Sequence, residues 1–315
     1  MARPPTGTVF VICGPTASGK SGLALALAQR LAQDGAGGTV INADSMQVYR
    51  GLEILTAQPD AAARAAAPHL LYGVLDPADS CSAGRWRGLA VEAIGKVLAE
   101  GGVPILAGGT GLYLRALIDG IAPVPMIPSA VRDRLRARCA ALGPAALHAE
   151  LAARDPEGAA AIRPTDPLRL MRALEVIEAT GRPLAYWRAQ PVEGPPPDWR
   201  FCRIRLDPPR ATLYAAIEAR FDAMLAAGAL EEVRALAARG LDPAVPALKA
   251  LGVSELARAA AGDIEIEYAV MQAKTRSRNY AKRQVTWFNG QMITDFSYSE
   301  KFSESLFDKI LSEIL

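Results

Sequence analysis

Residues Thr8–Gln33 read TVFVICGPTASGKSGLALALAQRLAQ, and the order of events in that stretch decides the fold. Thr8–Cys13 is an apolar run rich in β-formers, and Ser21–Gln33 is rich in Ala and Leu with a helical period. Between them Gly14, Pro15, Thr16, Ala17, Ser18, Gly19, Lys20 and Ser21 satisfy every fixed position of GxxxxGK[ST], in the strand–loop–helix context that this pattern needs. The spacing has a physical reason. Glycines let successive amides turn inward, and the helix start adds partial positive charge, so the loop cradles an anion. Lys20 adds a mobile full charge, and the Ser21 hydroxyl can ligate Mg²⁺. A chance glycine turn would not meet all the fixed positions in the right context. The loop therefore predicts a phosphate site and leaves open what carries the phosphate.

Working outward, Thr39–Ala43 (TVINA) is a second short strand ending at Asp44, and Leu70–Leu75 and Val103–Ala107 are further candidates. A helix over Trp86–Glu100 separates the last two. Such alternation predicts an α/β fold, a P-loop NTPase-like parallel sheet flanked by helices. From Ile127 to Arg188 the chain shows only Ala-, Leu- and Arg-rich helical stretches broken by Pro and Gly. An all-helical insertion domain over residues 121–197 follows, set into a core domain made of residues 1–120 and 198–315. Pro191–Pro197 (PVEGPPP) is a stiff connector, and Phe201–Leu206 (FCRIRL) alternates like a half-buried strand. From Asp295 the composition shifts to Ser, Phe and acid, which predicts a linker and terminal helix without chemistry of its own.

Composition sets limits. A net charge of +2 means that any surface for nucleic acid must be a local patch. Four scattered cysteines without a CxxC pair, and two histidines, argue against a Cys/His zinc site and fit a reducing cytosol. With no stretch long and apolar enough for a membrane span, the sequence predicts a cytoplasmic protein with no membrane partner. His69 and His148 read as structural or surface residues, Cys13 as a small core residue, and the Arg132–Arg138 run as an exposed helix face.

Enzymes that cleave ATP or GTP need a second acid at a neighbouring strand tip. Val103–Ala107 instead runs into Gly108, Gly109, Thr110 and Gly111, so the strand-terminal acid nearest the loop is Asp44. At the carboxyl end of a parallel strand it would face the same crevice as the loop. There it is a metal ligand or a general base, or alternatively a helix N-cap. Farther on, Lys274, Arg278 and Lys282 recur every four residues, flanked by Arg276 and Arg283 and interleaved with Tyr280 and Trp287. That is a helical stripe suited to phosphates and unstacked bases; the plainer reading is a solvated basic helix whose aromatics pack inward.

Taken together, GPTASGKS at Gly14–Ser21, DSMQVY at Asp44–Tyr49, PILAGGTGLYLRAL at Pro104–Leu117, DPLRLMRALEVIEATG at Asp166–Gly181, LYAAIEARFDAML at Leu213–Leu225 and YAKRQVTWF at Tyr280–Phe288 resemble the tRNA dimethylallyltransferases (isopentenyltransferases). The resemblance runs from about residue 10 to 289. It implies transfer of a prenyl group from dimethylallyl diphosphate, as co-substrate, to the exocyclic amine of the adenosine 3′ of the anticodon, releasing diphosphate, with Mg²⁺ required. On this pattern the loop from Gly14 to Ser21 holds the diphosphate, with Lys20 and Ser21 as charged and metal-side contacts. Asp44 is the base and, with Ser21, a metal ligand. Ser45, Met46 and Gln47 line the wall beside the base, Thr110 reaches acceptor or diphosphate, and Arg220 grips the leaving group. Arg132 and the run Leu168, Arg169, Leu170, Met171 and Arg172 touch the anticodon stem-loop of tRNA, as do Arg278, Lys282, Arg283, Gln284 and Trp287. The family form implied is bacterial, since no Cys/His tail stands where eukaryotic relatives add a zinc finger, and the resemblance implies a monomer. Departures are Pro68-His69-Leu70, where relatives commonly carry two histidines, and Ile162–Asp166 (IRPTD), where Ile-His-Pro-Asn-Asp is usual; both remove histidines from the essential set. Two other readings of the loop are a small-molecule kinase with the helical insertion as a lid, and an RNA-binding protein switched by nucleotide.

Overall fold

The computed structural model describes residues 4–314. Six strands, β1 (Thr8–Cys13), β2 (Gly38–Asn42), β3 (His69–Leu70), β4 (Val103–Gly108), β5 (Arg200–Leu206) and β6 (Phe296–Tyr298), form one sheet in the order β3-β2-β4-β1-β5-β6. Every pairing is parallel. Around it and in the insertion run α1 (Lys20–Gln33), α2 (Ala61–Ala66), α3 (Ala83–Ala99), α4 (Gly111–Ile118), α5 (Ser129–Arg154), α6 (Pro156–Ala160), α7 (Pro167–Thr180), α8 (Leu184–Arg188), α9 (Arg210–Ala226), α10 (Ala229–Ala237), α11 (Val253–Ala260), α12 (Ile266–Gln291) and α13 (Glu304–Ile314).

The central strand β1 is buried along its whole length, as a parallel strand covered on both faces must be. Its side chains alternate. Phe10 and Ile12 join α1 residues Leu23, Leu27 and Leu31 in one core, and Val9, Val11 and Cys13 join Trp86, Ile94, Phe221 and Phe288 in the other. Trp86 is fully buried, stacks on Tyr113 with ring centroids 4.7 Å apart, and donates from Nε1 to the Asn42 carbonyl at 3.0 Å. Its hydrogen bond satisfies a group that burial would otherwise leave at a cost of about 1–3 kcal/mol.

Two expectations about strands need correction. Of the expected strand Leu70–Leu75 only Leu70 pairs with the sheet, together with His69 before it, because Leu71 turns left-handed (φ 63°) and carries the chain out of register. Tyr72–Leu75 then follows the segment after Asp44, with Gly73 N donating to Gln47 O and Leu75 N to Val48 O, each at 2.9 Å. The tail after Asp295 does contain a helix, α13, but also β6, a sixth strand that its short polar sequence does not announce.

The chain divides into two compact units: residues up to Asp119 together with those from Pro195 on, and Gly120–Gly194. The second unit is helical and has its own core, in which Leu135, Leu147 and Leu151 of α5 meet Leu170 and Leu174 of α7. α5 is interrupted at Gly143 (φ 77°), just before Pro144, where a proline cannot continue the preceding hydrogen bonding. Glu178 of α7 gathers Arg134, Arg138 and Arg154 of α5, so part of the basic run is consumed internally. Among the described residues no helix is long and apolar enough to cross a membrane.

Candidate active site

The phosphate loop lies between β1 and α1, at the carboxyl edge of the sheet, where ligands of open α/β sheets bind. Lys20 Nζ donates to the Pro15 carbonyl at 2.6 Å, closing the loop on itself. Burial pulls the Lys20 ammonium down to about 8; the Asp44 carboxylate opposes that shift and the Arg220 guanidinium adds to it. The three charged groups therefore feel one another across a single site. Arg220, on α9, donates from Nη2 to the Thr16 hydroxyl. Ser18 is fully buried, and its hydroxyl has no hydrogen-bond partner among the described residues, a donor available beside the cradle. Cys13, just before the loop, is wholly buried and its thiol is pushed up to about 12, so it is a core residue and not a nucleophile.

Asp44 follows β2 directly, and the backbone around it is fixed by Asn42. The Asn42 amide, fully buried, accepts from Asp44 N at 2.8 Å and donates to Asp44 O and Leu71 O, each at 3.0 Å. Asp44 Oδ1 accepts from Met46 N at 2.9 Å. No helix begins here, so the carboxylate closes a local turn and is not a helix N-cap. Thr110 stands opposite, its hydroxyl accepting from Ser45 N at 2.9 Å and donating to the Ser45 hydroxyl at 3.3 Å.

A cavity of about 480 Å³ gathers these groups. Thr16, Asp44, Ser45, Met46, Arg220, Asn279, Tyr280 and Arg283 line it. A second cavity of about 480 Å³ is lined by Asn279, Lys282, Arg283, Thr286 and Trp287. Asn279 and Arg283 belong to both, so the two cavities adjoin along α12, and the second is basic and edged by the Trp287 ring.

Not every expected site residue falls here. The Gln47 amide nitrogen donates to the carbonyls of Thr56 and Ala57, at 2.8 and 2.9 Å, and braces that turn. Gln284 is buried and spans two loops, accepting from Thr16 N and donating to Gly109 O, each at 2.8 Å. A Cβ on Gly109 would collide with that amide, and one on Gly111 with the Trp287 ring, which explains both glycines by close approach. Arg278 pairs with Glu218 at 2.5 Å and lies over the Tyr214 ring, while Lys274 pairs with Asp222 at 2.6 Å. Two of the three residues of the basic stripe thus fasten α12 to α9, and Arg276, beside it, is held by the buried Glu255. In the helical unit, Leu168 (68% exposed) and Arg169 point outward, Arg132 and Met171 are half-buried, and Arg172 pairs with Glu175 at 3.4 Å. Leu170 is fully buried in that unit's core, so the expectation that it touches RNA is corrected: two residues on from Leu168, it faces the other side of α7.

Sequence reading passed over three residues. Tyr280 appeared only as an interleaved aromatic, yet it lines the pocket; burial, then the Asp44 charge, push its phenol up, so it stays neutral. Its place three residues before Arg283, on one helical face, was the available signal. Asn42, which fixes the backbone at Asp44, and Lys249, which also lines the cavity, carried none that their neighbours in sequence could reveal. His69 donates from Nδ1 to the Ala67 carbonyl at 2.8 Å and His148 from Nε2 to the Ala159 carbonyl at 3.1 Å, so both rings are engaged with backbone.

The IPP transferase family matches this chain over residues 47–291. The chain is 54% identical over 289 residues to the tRNA dimethylallyltransferase of Rhodospirillum centenum, covering 92% of this chain and 90% of that protein. It is 51% identical over 310 residues to the tRNA dimethylallyltransferase of Parvibaculum lavamentivorans, covering 98% and 96%. Among solved structures it resembles the full-length tRNA isopentenylpyrophosphate transferase of Bacillus halodurans (TM-score 0.68, 33% identity, 98% of this chain and 97% of that one). It also resembles a eukaryotic dimethylallyltransferase acting on tRNA (TM-score 0.77, 27% identity, 97% and 77%).

Proposed function

Because this chain belongs to the family of tRNA dimethylallyltransferases, we propose that its phosphate loop holds the diphosphate of dimethylallyl diphosphate while Asp44 takes the proton of an adenosine amine. The reaction is prenyl transfer to tRNA, which sets aside the kinase and nucleotide-switch readings of the loop. In the step proposed, the bond between the allylic carbon and the diphosphate oxygen breaks as the adenosine amine forms its bond to that carbon. The amine proton passes to Asp44, and diphosphate leaves with the bonding pair. The acceptor is the adenosine 3′ of the anticodon, reached in the anticodon stem-loop.

The observation that carries this reading is the sharing of one cavity by Asp44, Thr16 and Arg220, with Lys20 in the same field. Lys20, the loop amides, the Ser18 hydroxyl and Arg220 stabilise charge that develops on the leaving diphosphate. Its volume of about 480 Å³ is in the range of small-molecule sites. Met46 and Tyr280 supply apolar walls that keep water from an allylic centre that would otherwise hydrolyse. Thr110, whose hydroxyl is engaged by Ser45, braces the Ser45 wall of the pocket from outside it.

Mg²⁺ fits the donor set. The exposed Ser21 hydroxyl and the Asp44 carboxylate are hard oxygens, and this ion takes few protein ligands, leaving the rest to water and substrate phosphates. Bound there, it would neutralise charge on the diphosphate. RNA is assigned to Lys282, Arg283 and Trp287 beside the second cavity and to Arg132, Leu168, Arg169, Met171 and Arg172 in the helical unit. Gln284 and Arg278 are reassigned: they position α12 and the loops and do not read RNA. Ser45 and Met46 line the acceptor wall, and Gln47 braces the turn behind it. The protein is proposed to act as a cytoplasmic monomer.

Incubation with labelled dimethylallyl diphosphate, Mg²⁺ and unmodified tRNA tests the proposal. Label is expected on the adenosine 3′ of the anticodon, and chelation of Mg²⁺ should abolish it. Label elsewhere in the RNA, or ATP consumption without labelled RNA, would overturn it.

A further inference from the structure

The segment after Asp295 lies beyond the part of the chain that the family matches, and it is built onto the phosphate loop. It is fastened at its start, where Arg203 donates to the Asp295 carboxylate from its backbone N at 2.7 Å and from its guanidinium at 2.8 Å. β6 then pairs with β5, Asp207 N donating to Tyr298 O at 2.8 Å. At its end, α13 buries Leu306, Ile310 and Leu311 against the same core that holds Leu23, Leu27 and Leu31 of α1. The Tyr298 hydroxyl donates to Glu313 at 2.6 Å and ties strand to helix.

Between these anchors the chain crosses the loop. Phe302 N lies 3.4 Å from the carbonyl of Ser18, to which it donates. A Cβ on Gly19 would sit 2.6 Å from the Phe302 Cβ, and one on Gly22 would sit 2.9 Å from its ring. Gly19 is left-handed (φ 95°), the conformation that turns its neighbours' amides inward. Phosphate binding explains Gly19. It does not explain Gly22, the residue after the GxxxxGK[ST] pattern, whose missing side chain makes room for the aromatic ring. The ring is held from behind by Phe307, edge to face at 6.3 Å.

We propose that residues 295–314 form a strap that fixes the shape of the diphosphate loop, with Phe302 as a positioning residue for donor binding. Phe302 does not touch the reacting atoms. It presses on the face of the loop where Ser18 and Gly19 set the direction of the amides. The inference rests on the reading that this loop holds the donor.

The test compares Phe302→Ala, Phe302→Leu and Ile310→Ala with Lys20→Ala in full-length protein, measuring the KM for dimethylallyl diphosphate, kcat, the Kd for tRNA and Tm. Phe302→Ala should raise the donor KM roughly tenfold while kcat at saturation and the tRNA Kd stay within twofold, and Phe302→Leu should recover most of the loss. Ile310→Ala removes core volume from the strap without touching the loop, so it should lower Tm and leave the donor KM in place. An unchanged donor KM in Phe302→Ala, or an equal rise in Ile310→Ala, overturns the proposal. If Phe302→Ala is silent while Lys20→Ala abolishes transfer, the strap fails alone; if both are silent, the loop assignment fails with it.

Discussion

At Asp44 the backbone is set before the side chain does any chemistry. The buried Asn42 amide makes three hydrogen bonds around it, and one carboxylate oxygen is fixed by Met46 N. Such a carboxylate presents a defined edge to the pocket, as proton transfer requires. Asp44→Asn should lower kcat by about 10² to 10⁴ with the tRNA Kd unchanged, checked by single-turnover transfer. Lys20 gives a pH dependence. Burial pulls its ammonium down from 10.5 to about 8, so the charge is present below that pH and lost as pH rises through it. The kcat/KM for the donor should therefore fall above pH 8, since that parameter reports groups of the free enzyme. In Lys20→Arg, whose charge does not titrate in that range, the limb should disappear even if the overall rate is lower. A limb that persists would belong to some other group.

The helix α12 shows how one element carries several duties on different faces. Lys274 and Arg278 meet Asp222 and Glu218, themselves four residues apart on α9, and so form a ladder between two helices. One turn farther on, Lys282 and Arg283 leave that ladder for the groove, and Gln284 turns inward to join the two loops. Lys282→Ala should weaken tRNA binding and reduce the slope of log K against log salt by about one, the signature of one lost phosphate contact. Arg278→Ala should instead leave that slope unaltered and lower Tm, read by fluorescence titration and thermal melts. Here the limits of sequence reading are visible. The phosphate loop, Asp44 and the Gly108–Gly111 turn were legible because each sits at the end of a strand and declares itself within a few residues. The spacing of the basic stripe was legible too, but not its division of labour, since partners on α9 are decided by packing. Gln284 bonds to Thr16 across 268 residues of chain, and no local pattern foretells that. β6 is three residues long and depends wholly on the exposed edge of β5, so its polar sequence gave no strand signal.

In the whole molecule, the parallel sheet brings the loop, Asp44 and Thr110 to one edge, and α9 and α12 close over them with Arg220, Tyr280 and Arg283. The helical unit is a separate folding problem with its own core, from which Leu168 and Arg169 face outward, Arg169 beside the Asp166 carboxylate at 3.5 Å. The anion cradle at this edge is proposed to hold an allylic diphosphate. The most direct test is equilibrium binding of dimethylallyl diphosphate with Mg²⁺, by calorimetry, to the intact protein and to Lys20→Ala. Saturable binding to the former is expected, and an affinity at least tenfold weaker in the latter, with inorganic diphosphate competing for the same site. Equal affinity in the two proteins, or no competition by diphosphate, would contradict it.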